Sequence, residues 1–175
     1  MNKQLKLFAG LVDRKKPSAK PRAVAGPSIF VDGASRGNPG RSGIGIYIKD
    51  GDKEIKRGFF VGKGTNNKAE YLAVVAGVVI ARQLCENLES LNIFSDSQLM
   101  VRQMTGEYKV RTPHIVILKA AVDHVCEGLK VKFRHVMREK NVVADQLAND
   151  GIDKQKLVPS YVENVFEKCG IELTP

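Results

Sequence analysis

The chain has no tryptophan, few cysteines and no long apolar run. Cys85, Cys126 and Cys169 are far apart and odd in number, which is typical of reduced thiols rather than of a disulfide framework or a zinc site. No stretch approaches the roughly 18 apolar residues of a membrane-spanning helix, and the first residues lack the pattern of a secretory signal. We therefore expect a cytoplasmic monomer without a membrane partner. A mitochondrial presequence fits less well, because Ser18 is the sole serine before Ser28.

Acidic residues are scarce relative to basic ones, 19 against 28, so the net charge is +9. This balance favours polyanionic partners, nucleic acid before anionic lipid. Residues 1–27 contain seven lysines and arginines and a single acid, whereas the rest of the chain is nearly neutral. Three prolines accompany these charges, which predicts a flexible basic arm. The arm either adds contacts to phosphates or is a solvated linker.

The apolar fraction of 43% and the charged fraction of 27% predict one folded domain. Periodicity and turn residues predict strands at 28–32, 43–49 and 54–61, a helix at 67–87, a strand at 91–95, helices at 97–105 and 113–127, a strand at 131–137 and a helix at 141–150. In the last helix, Asn141 is expected to be the N-cap and Gly151 the end.

This order predicts an α/β fold with a mixed five-stranded sheet flanked by helices. Three strands would form an antiparallel meander and two would be parallel. We expect the domain to span residues 28–156. Residues 157–175 are expected to form an appendage with one short helix that is capped by Ser160 and ended by Gly170.

Four acids occupy similar settings. Asp32 and Asp96 follow apolar strands, and Glu70 and Asp145 lie near the starts of helices. Strand ends of α/β sheets meet at one crevice, where carboxylates repel one another unless a cation intervenes. Oxygen ligands alone favour Mg²⁺ or Mn²⁺, and two such ions can hold both oxygens of a phosphoryl displacement. Each acid alone could be a helix cap or a surface residue, but four together favour a metal site.

Four segments carry a resemblance over about residues 28–152: IFVDGASRGNPGRSGIGIYI, GTNNKAEYLAVVAGV, NIFSDSQLMVRQMTGEYKV and VMREKNVVADQLAN. In this order they resemble the type 1 ribonuclease H family, in a form without its basic protrusion. The resemblance implies a ribonuclease H-like fold, with Asp32, Glu70, Asp96 and Asp145 as metal-binding catalytic acids. It also implies hydrolysis of the RNA strand of RNA–DNA hybrids with Mg²⁺ or Mn²⁺, leaving 3′-hydroxyl and 5′-phosphate ends. The implied role is removal of primers and hybrids during replication.

The resemblance also implies residues that bind the hybrid. A hybrid differs from duplex DNA by its 2′-hydroxyls, which are accessible in the minor groove. The positions that match groove-contacting residues are Gly33, Ser35, Asn38, Asn66 and Asn67. Lys63 and Thr65 match a pocket for a phosphate of the DNA strand. Without the acids nearby, the glycine-rich segment would be interpreted as an ordinary turn.

The chain departs from the family pattern before its last aspartate. Many members have a loop histidine there that is thought to assist proton transfer or product release. Here the loop is Arg138-Glu139-Lys140, and we expect Arg138 to take the catalytic role. His135 comes earlier, within a predicted strand, and is expected to be an ordinary core or surface histidine.

The first residues contain a short apolar motif, Gln4-Leu5-Lys6-Leu7-Phe8. It is similar to the peptide by which bacterial proteins bind the replication sliding clamp. Such peptides place apolar side chains in a preformed pocket. Gln4, Leu5, Leu7 and Phe8 are therefore candidate clamp-binding residues, and the alternative is an apolar terminus without a partner.

Three other functions remain. A related 3′–5′ exonuclease would need a second acid at the position of Ala34. A non-catalytic hybrid-binding module would be expected to have lost an acid, and none is lost. A domain of a reverse transcriptase is hard to reconcile with the basic arm and the length of the chain.

Overall fold

The structure, a computed structural model, describes residues 26–174. Its elements are β1 (Ser28–Gly37), β2 (Gly40–Asp50), β3 (Lys53–Gly64), α1 (Asn66–Leu84), β4 (Ser90–Ser95), α2 (Gln98–Met104), α3 (Pro113–Val125), β5 (Lys130–His135), α4 (Val142–Lys154) and α5 (Ser160–Lys168). A 3₁₀ turn at Arg138–Lys140 precedes α4. The predicted order of strands and helices is confirmed. The arm up to residue 25, with the motif at residues 4–8, lies outside the described residues.

The sheet has the strand order β3-β2-β1-β4-β5. The first three strands form an antiparallel meander, and β4 pairs in parallel with both β1 and β5. This confirms the predicted mixed sheet. β1 pairs with β4 only over Ser28–Phe30, so the two strands separate just before Asp32.

Several predicted boundaries differ from the structure by two or three residues, and two differ for a reason that the packing shows. β1 does not end at Asp32 but continues to Gly37, because β2 pairs with it along its whole length despite the glycines. α4 does not end at Gly151 but continues to Lys154, and the residue in left-handed conformation is Gln155. Gly151 lies against β3, where a Cβ atom would be 2.5 Å from the Phe59 carbonyl oxygen. This glycine therefore permits close packing and does not terminate the helix.

Helices cover both faces of the sheet. α1 packs on the face that carries Ile29, Val31 and Ile46, as the surroundings of Gly77 show. α4 packs on the opposite face, where a Cβ at Gly45 would be 1.9 Å from the carbonyl oxygen of Ala144. Gly45 and Ile46 are neighbours in β2 and therefore point to opposite faces of the sheet. Because Gly45 has no side chain, the backbone of α4 lies directly on β2. This contact fixes the start of α4 beside Asp32.

Residues 156–174 pack along β3 and α1. Val162 and Phe166 of α5 are completely buried in the main core. The amide of Phe60 donates to the carbonyl of Lys156, and that of Lys63 to the carbonyl of Thr174, each over 2.7 Å. Pro159, rather than Ser160, occupies the N-cap of α5, and Gly170 follows the helix with a φ of 72°. None of the helices in residues 26–174 has the length and apolarity to cross a bilayer.

Candidate active site

Three of the four predicted acids meet where β1 separates from β4. Carboxylate oxygens of Asp32, Glu70 and Asp96 all lie within 4.8 Å of one another. Asp32 belongs to β1, Asp96 follows β4, and Glu70 is the fifth residue of α1. Gly33 makes this approach possible, because a Cβ atom there would be 2.2 Å from the amide nitrogen of Glu70.

The cluster concentrates negative charge away from water. Asp32 is 5% exposed and Glu70 is 8% exposed. Burial, and then the charges of Asp96 and Asp145, raise the pKa of Asp32 to about 8. Burial, and then Asp32 and Asp96, raise the pKa of Glu70 well above its usual range. Oxygen ligands that repel one another suit a hard divalent cation, so these residues fit the implied metal.

Asp145 lies in the first turn of α4, beside this group of three. Its charge contributes to the raised pKa of Asp32. The guanidinium of Arg138 donates to the Asp145 carboxylate over 3.2 Å, while the Arg138 side chain remains 77% exposed. A guanidinium does not release its proton in proteins, so Arg138 suits charge pairing and not proton transfer. His135 is exposed at the end of β5.

Asn141 is a site residue that the sequence did not reveal. It stands at the N-cap of α4 as predicted, but its side chain does not cap the helix. Its carboxamide instead donates to the Val31 carbonyl and to the Asp96 carboxylate, each over 2.9 Å, and the side chain is buried. Asn141 therefore joins β1, the end of β4 and α4 at the carboxylates. An asparagine before a helix is ordinarily a cap, so the sequence offered no signal for this role.

Asn141→Ala is expected to lower kcat about tenfold with little change in KM. The reason is that the Asp96 carboxylate loses the donor that orients it, and a hydrogen bond to a charged group contributes roughly 1.5–3 kcal/mol. Steady-state cleavage of an RNA–DNA hybrid, the substrate that the resemblance implies, gives both constants. Asn149→Ala is the matched control, because the Asn149 carboxamide donates only to the Asp145 carbonyl within α4. Equal kcat values for the two variants would remove the orienting role.

The predicted substrate-binding residues form one edge next to the carboxylates. The hydroxyl of Ser35 donates to the Gly64 carbonyl over 2.9 Å, which ties β1 to the end of β3. The Asn38 side chain accepts from the amide of Asn66 over 3.3 Å, and both residues are exposed. Thr65 caps α1 by accepting from the Lys68 amide. This edge therefore presents polar groups in fixed positions.

The remaining predicted substrate-binding residues differ in exposure. Lys63 is exposed and Asn67 is half-buried. Gly33 is buried beneath α1, where its missing side chain permits the close packing of Glu70.

Comparisons with known proteins agree with this arrangement. The family model described as "Reverse transcriptase-like" matches residues 30–151. The bifunctional protein Rv2228c of Mycobacterium tuberculosis is 35% identical over 131 residues, which cover 71% of this chain and 35% of that protein. The crystal structure of RNase H1 from Halobacterium salinarum matches with a TM-score of 0.69 and 32% identity, covering 73% of this chain and 98% of that one. LC11-RNase H1 in complex with an RNA/DNA hybrid matches with a TM-score of 0.69 and 36% identity, covering 73% and 97%.

The chain belongs to the type 1 ribonuclease H family. It spans about a third of the length of the first curated relatives that it matches. The matched region contains all four acids and ends before residues 156–174, which pack against β3.

Proposed function

We propose that this protein hydrolyses the RNA strand of RNA–DNA hybrids and leaves 3′-hydroxyl and 5′-phosphate ends. The observation that carries the proposal is the buried group of Asp32, Glu70 and Asp96, with Asp145 beside it. The family of the chain and the hybrid bound to LC11-RNase H1 support the substrate.

Two divalent ions, Mg²⁺ or in its place Mn²⁺, would be held by Asp32, Glu70, Asp96 and Asp145. Such ions supply Lewis-acid activation of water and stabilise the charge on the departing oxygen. The chain itself contributes ligand oxygens on rigid elements, since β1, α1 and α4 are held together by backbone contacts at Gly33 and Gly45. Asn141 keeps the Asp96 carboxylate in its orientation.

The hybrid would lie along the edge formed by Ser35, Asn38, Asn66 and Asn67. Their hydroxyl and amide groups both donate and accept, which suits the 2′-hydroxyls and base edges of a minor groove. Lys63, near the end of β3, and Thr65, the N-cap of α1, would bind a phosphate of the DNA strand. These contacts select the hybrid because duplex DNA lacks 2′-hydroxyls.

Cleavage of an end-labelled RNA–DNA hybrid tests the proposal. Reactions with Mg²⁺, Mn²⁺ or EDTA are compared with the same reactions on single-stranded RNA and duplex DNA. We expect internal cuts in the RNA of the hybrid alone, and only with a divalent ion. Binding of the hybrid without cutting under either ion would show a recognition module instead.

Arg138 is expected to contribute to turnover in place of the family's histidine. Its exposed guanidinium beside Asp145 is suited to attract a phosphate or to aid release of the product. We expect Arg138→Ala to lower kcat about tenfold and His135→Ala to leave it within about twofold. Equal and mild losses in both variants would remove Arg138 from the mechanism.

The cellular part of the proposal concerns the basic arm. We propose that the protein is a cytoplasmic monomer that removes primers during replication. Residues 4–8 would bind a bacterial sliding clamp. A peptide of residues 1–12 is expected to bind such a clamp, and a Leu7→Ala, Phe8→Ala peptide is expected not to. Equal binding of both peptides, or of neither, would remove the clamp from the proposal.

A further inference from the structure

α4 covers only part of the sheet face on which it packs. On the open part, the strand register places five side chains in one row across all five strands: Lys56, Tyr47, Phe30, Phe94 and Arg134. The two terminal cations are exposed and the three rings are half-buried. Neighbouring strands lie about 4.8 Å apart, so the row is roughly 19 Å long.

The three rings of this row form a continuous aromatic strip. Phe30 and Phe94 are stacked, with ring centroids 4.7 Å apart and planes inclined by 13°. Phe30 and Tyr47 have centroids 5.8 Å apart. The Lys56 ammonium is 5.2 Å from the centroid of the Tyr47 ring, so a cation already lies against one end of the strip.

Positive charge surrounds the strip. The register places Lys49, Lys130 and Lys132 on the same face as Lys56 and Arg134, and all five cations are exposed. The acid on the strands beside this row is Glu54. It forms an ion pair with Lys56 and accepts a hydrogen bond from the Tyr47 hydroxyl. Within residues 26–174, Lys49, Lys130, Lys132 and Arg134 form no ion pair. Their charge is therefore available to a partner.

A cleft of about 280 Å³ lies between the strip and the start of α4. Phe30, Tyr47, Val142 and Val143 line it, together with Lys49, Lys140 and the acidic Glu139. Val142 is 59% exposed and Val143 is 39% exposed, so the start of α4 adds apolar surface beside the rings. The cleft thus combines apolar walls with two cations and one acid, a net positive lining.

We propose that this face binds single-stranded nucleic acid, with an unstacked base in the cleft and phosphates on the surrounding cations. Aromatic side chains beside a basic groove are the combination by which proteins hold single strands. A duplex keeps its bases stacked and would leave the rings and the cleft unused. The positive charge of the basic arm disfavours it as the occupant, because the charge of this face has the same sign.

The proposed surface is separate from the carboxylates. Asn141 lines the cleft and also donates to Asp96, so it stands between the two sites. The rings and cations that carry the inference are not among the carboxylates, so binding on this face does not depend on hydrolysis of a hybrid, and the two can fail independently.

The test measures binding of two fluorescent oligonucleotides to the full chain in EDTA by fluorescence anisotropy. One oligonucleotide consists of ten dT nucleotides and the other of ten U nucleotides. Lys132→Glu with Arg134→Glu is expected to weaken binding of both at least tenfold. Lys109→Glu with Lys168→Glu is the control, because it changes the net charge equally at exposed positions away from this face. Hybrid cleavage by the Lys132, Arg134 variant is expected to stay unchanged. Equal weakening by the two double variants would overturn the inference.

Two further measurements separate the aromatic surface from a general polyanion site. Tyr47→Leu keeps an apolar side chain and is expected to weaken oligonucleotide binding about fivefold. Irradiated oligonucleotides with 5-iodouracil are expected to cross-link to peptides that contain Phe30, Tyr47 or Phe94.

Cross-links confined to residues 1–25 would assign the binding to the arm. Competition by polyglutamate as strong as that by oligo-dT would show a site for acidic polypeptides, and either result would overturn the inference.

Discussion

Asp32→Asn is expected to reduce hybrid cleavage by on the order of 10³-fold or more without loss of the fold. The substitution exchanges a carboxylate for a neutral amide of nearly the same shape, in the middle of the acidic group. Asp32 interacts electrostatically with the other three acids. The charges of Asp96 and Asp145 raise its pKa, and its own charge raises the pKa of Glu70. Loss of its charge therefore weakens every interaction of the group with a divalent ion.

Single-turnover cleavage with saturating Mg²⁺ measures this loss, and binding of the hybrid is measured beside it. The hybrid is expected to bind the variant nearly as well as the wild type, because the recognition edge lies on other residues. Asp52→Asn, in an exposed turn, is the matched control and is expected to retain full activity. Cleavage by Asp32→Asn within tenfold of the wild type would show that the group is not the hydrolytic site.

The same substitution is expected to stabilise the metal-free protein by up to about 4 kcal/mol at pH 7, because pH 7 lies about three units above the ordinary pKa and each unit corresponds to about 1.4 kcal/mol. The pKa of Asp32 is about 8 in the folded protein, whereas 3.8 is its ordinary value. Between these values the folded state keeps a proton that the unfolded chain releases. The stability of the wild type therefore falls as the pH rises from about 4, and the loss is complete above about pH 8. Asparagine at this position carries no charge, so the variant lacks this part of the pH dependence.

Urea denaturation in EDTA at several pH values between 4 and 9 tests this prediction. The gain from Asp32→Asn is expected to be small near pH 4 and to grow up to about pH 8, whereas Asp52→Asn shows no such growth. Addition of Mg²⁺ is expected to stabilise the wild type, since an ion that binds only the folded state shifts unfolding by mass action. A variant less stable than the wild type at pH 8 in EDTA would contradict the repulsion inferred for this group.

Local signals were sufficient for most of the fold. Strand and helix periodicity placed every element of residues 28–152 in the correct order, since alternation of apolar residues is a property of neighbouring positions. The errors fall where a partner segment outside the element decides. β2 extends β1 through glycines that favour a turn, and the Phe59 backbone explains a Gly151 that looked like a helix end.

Some residues of the candidate site could be predicted from local signals, and others could not. The four acids were visible because each was predicted to follow a strand or to lie near the start of a helix, and such positions point to one edge of a sheet. Asn141 was not visible as a site residue, because its two acceptors lie 45 and 110 positions away in the chain. The buried state of Gly33 was hidden for the same reason, since the helix that covers it begins more than 30 residues later.

The sequence by itself determined the order of the elements, the identity of the acids, and the concentration of positive charge in the first 27 residues. Each of these is a local property of composition or spacing. Only the tertiary structure decided that Asp32, Glu70 and Asp96 form a compact group with Asp145 at its side. It also decided that Tyr47, Phe30 and Phe94 align with Lys56 and Arg134 in one row. The physical reason is that the docking of helices and the pairing of strands far apart in the chain result from packing between those segments, whereas a local pattern decides only which face of a strand is buried.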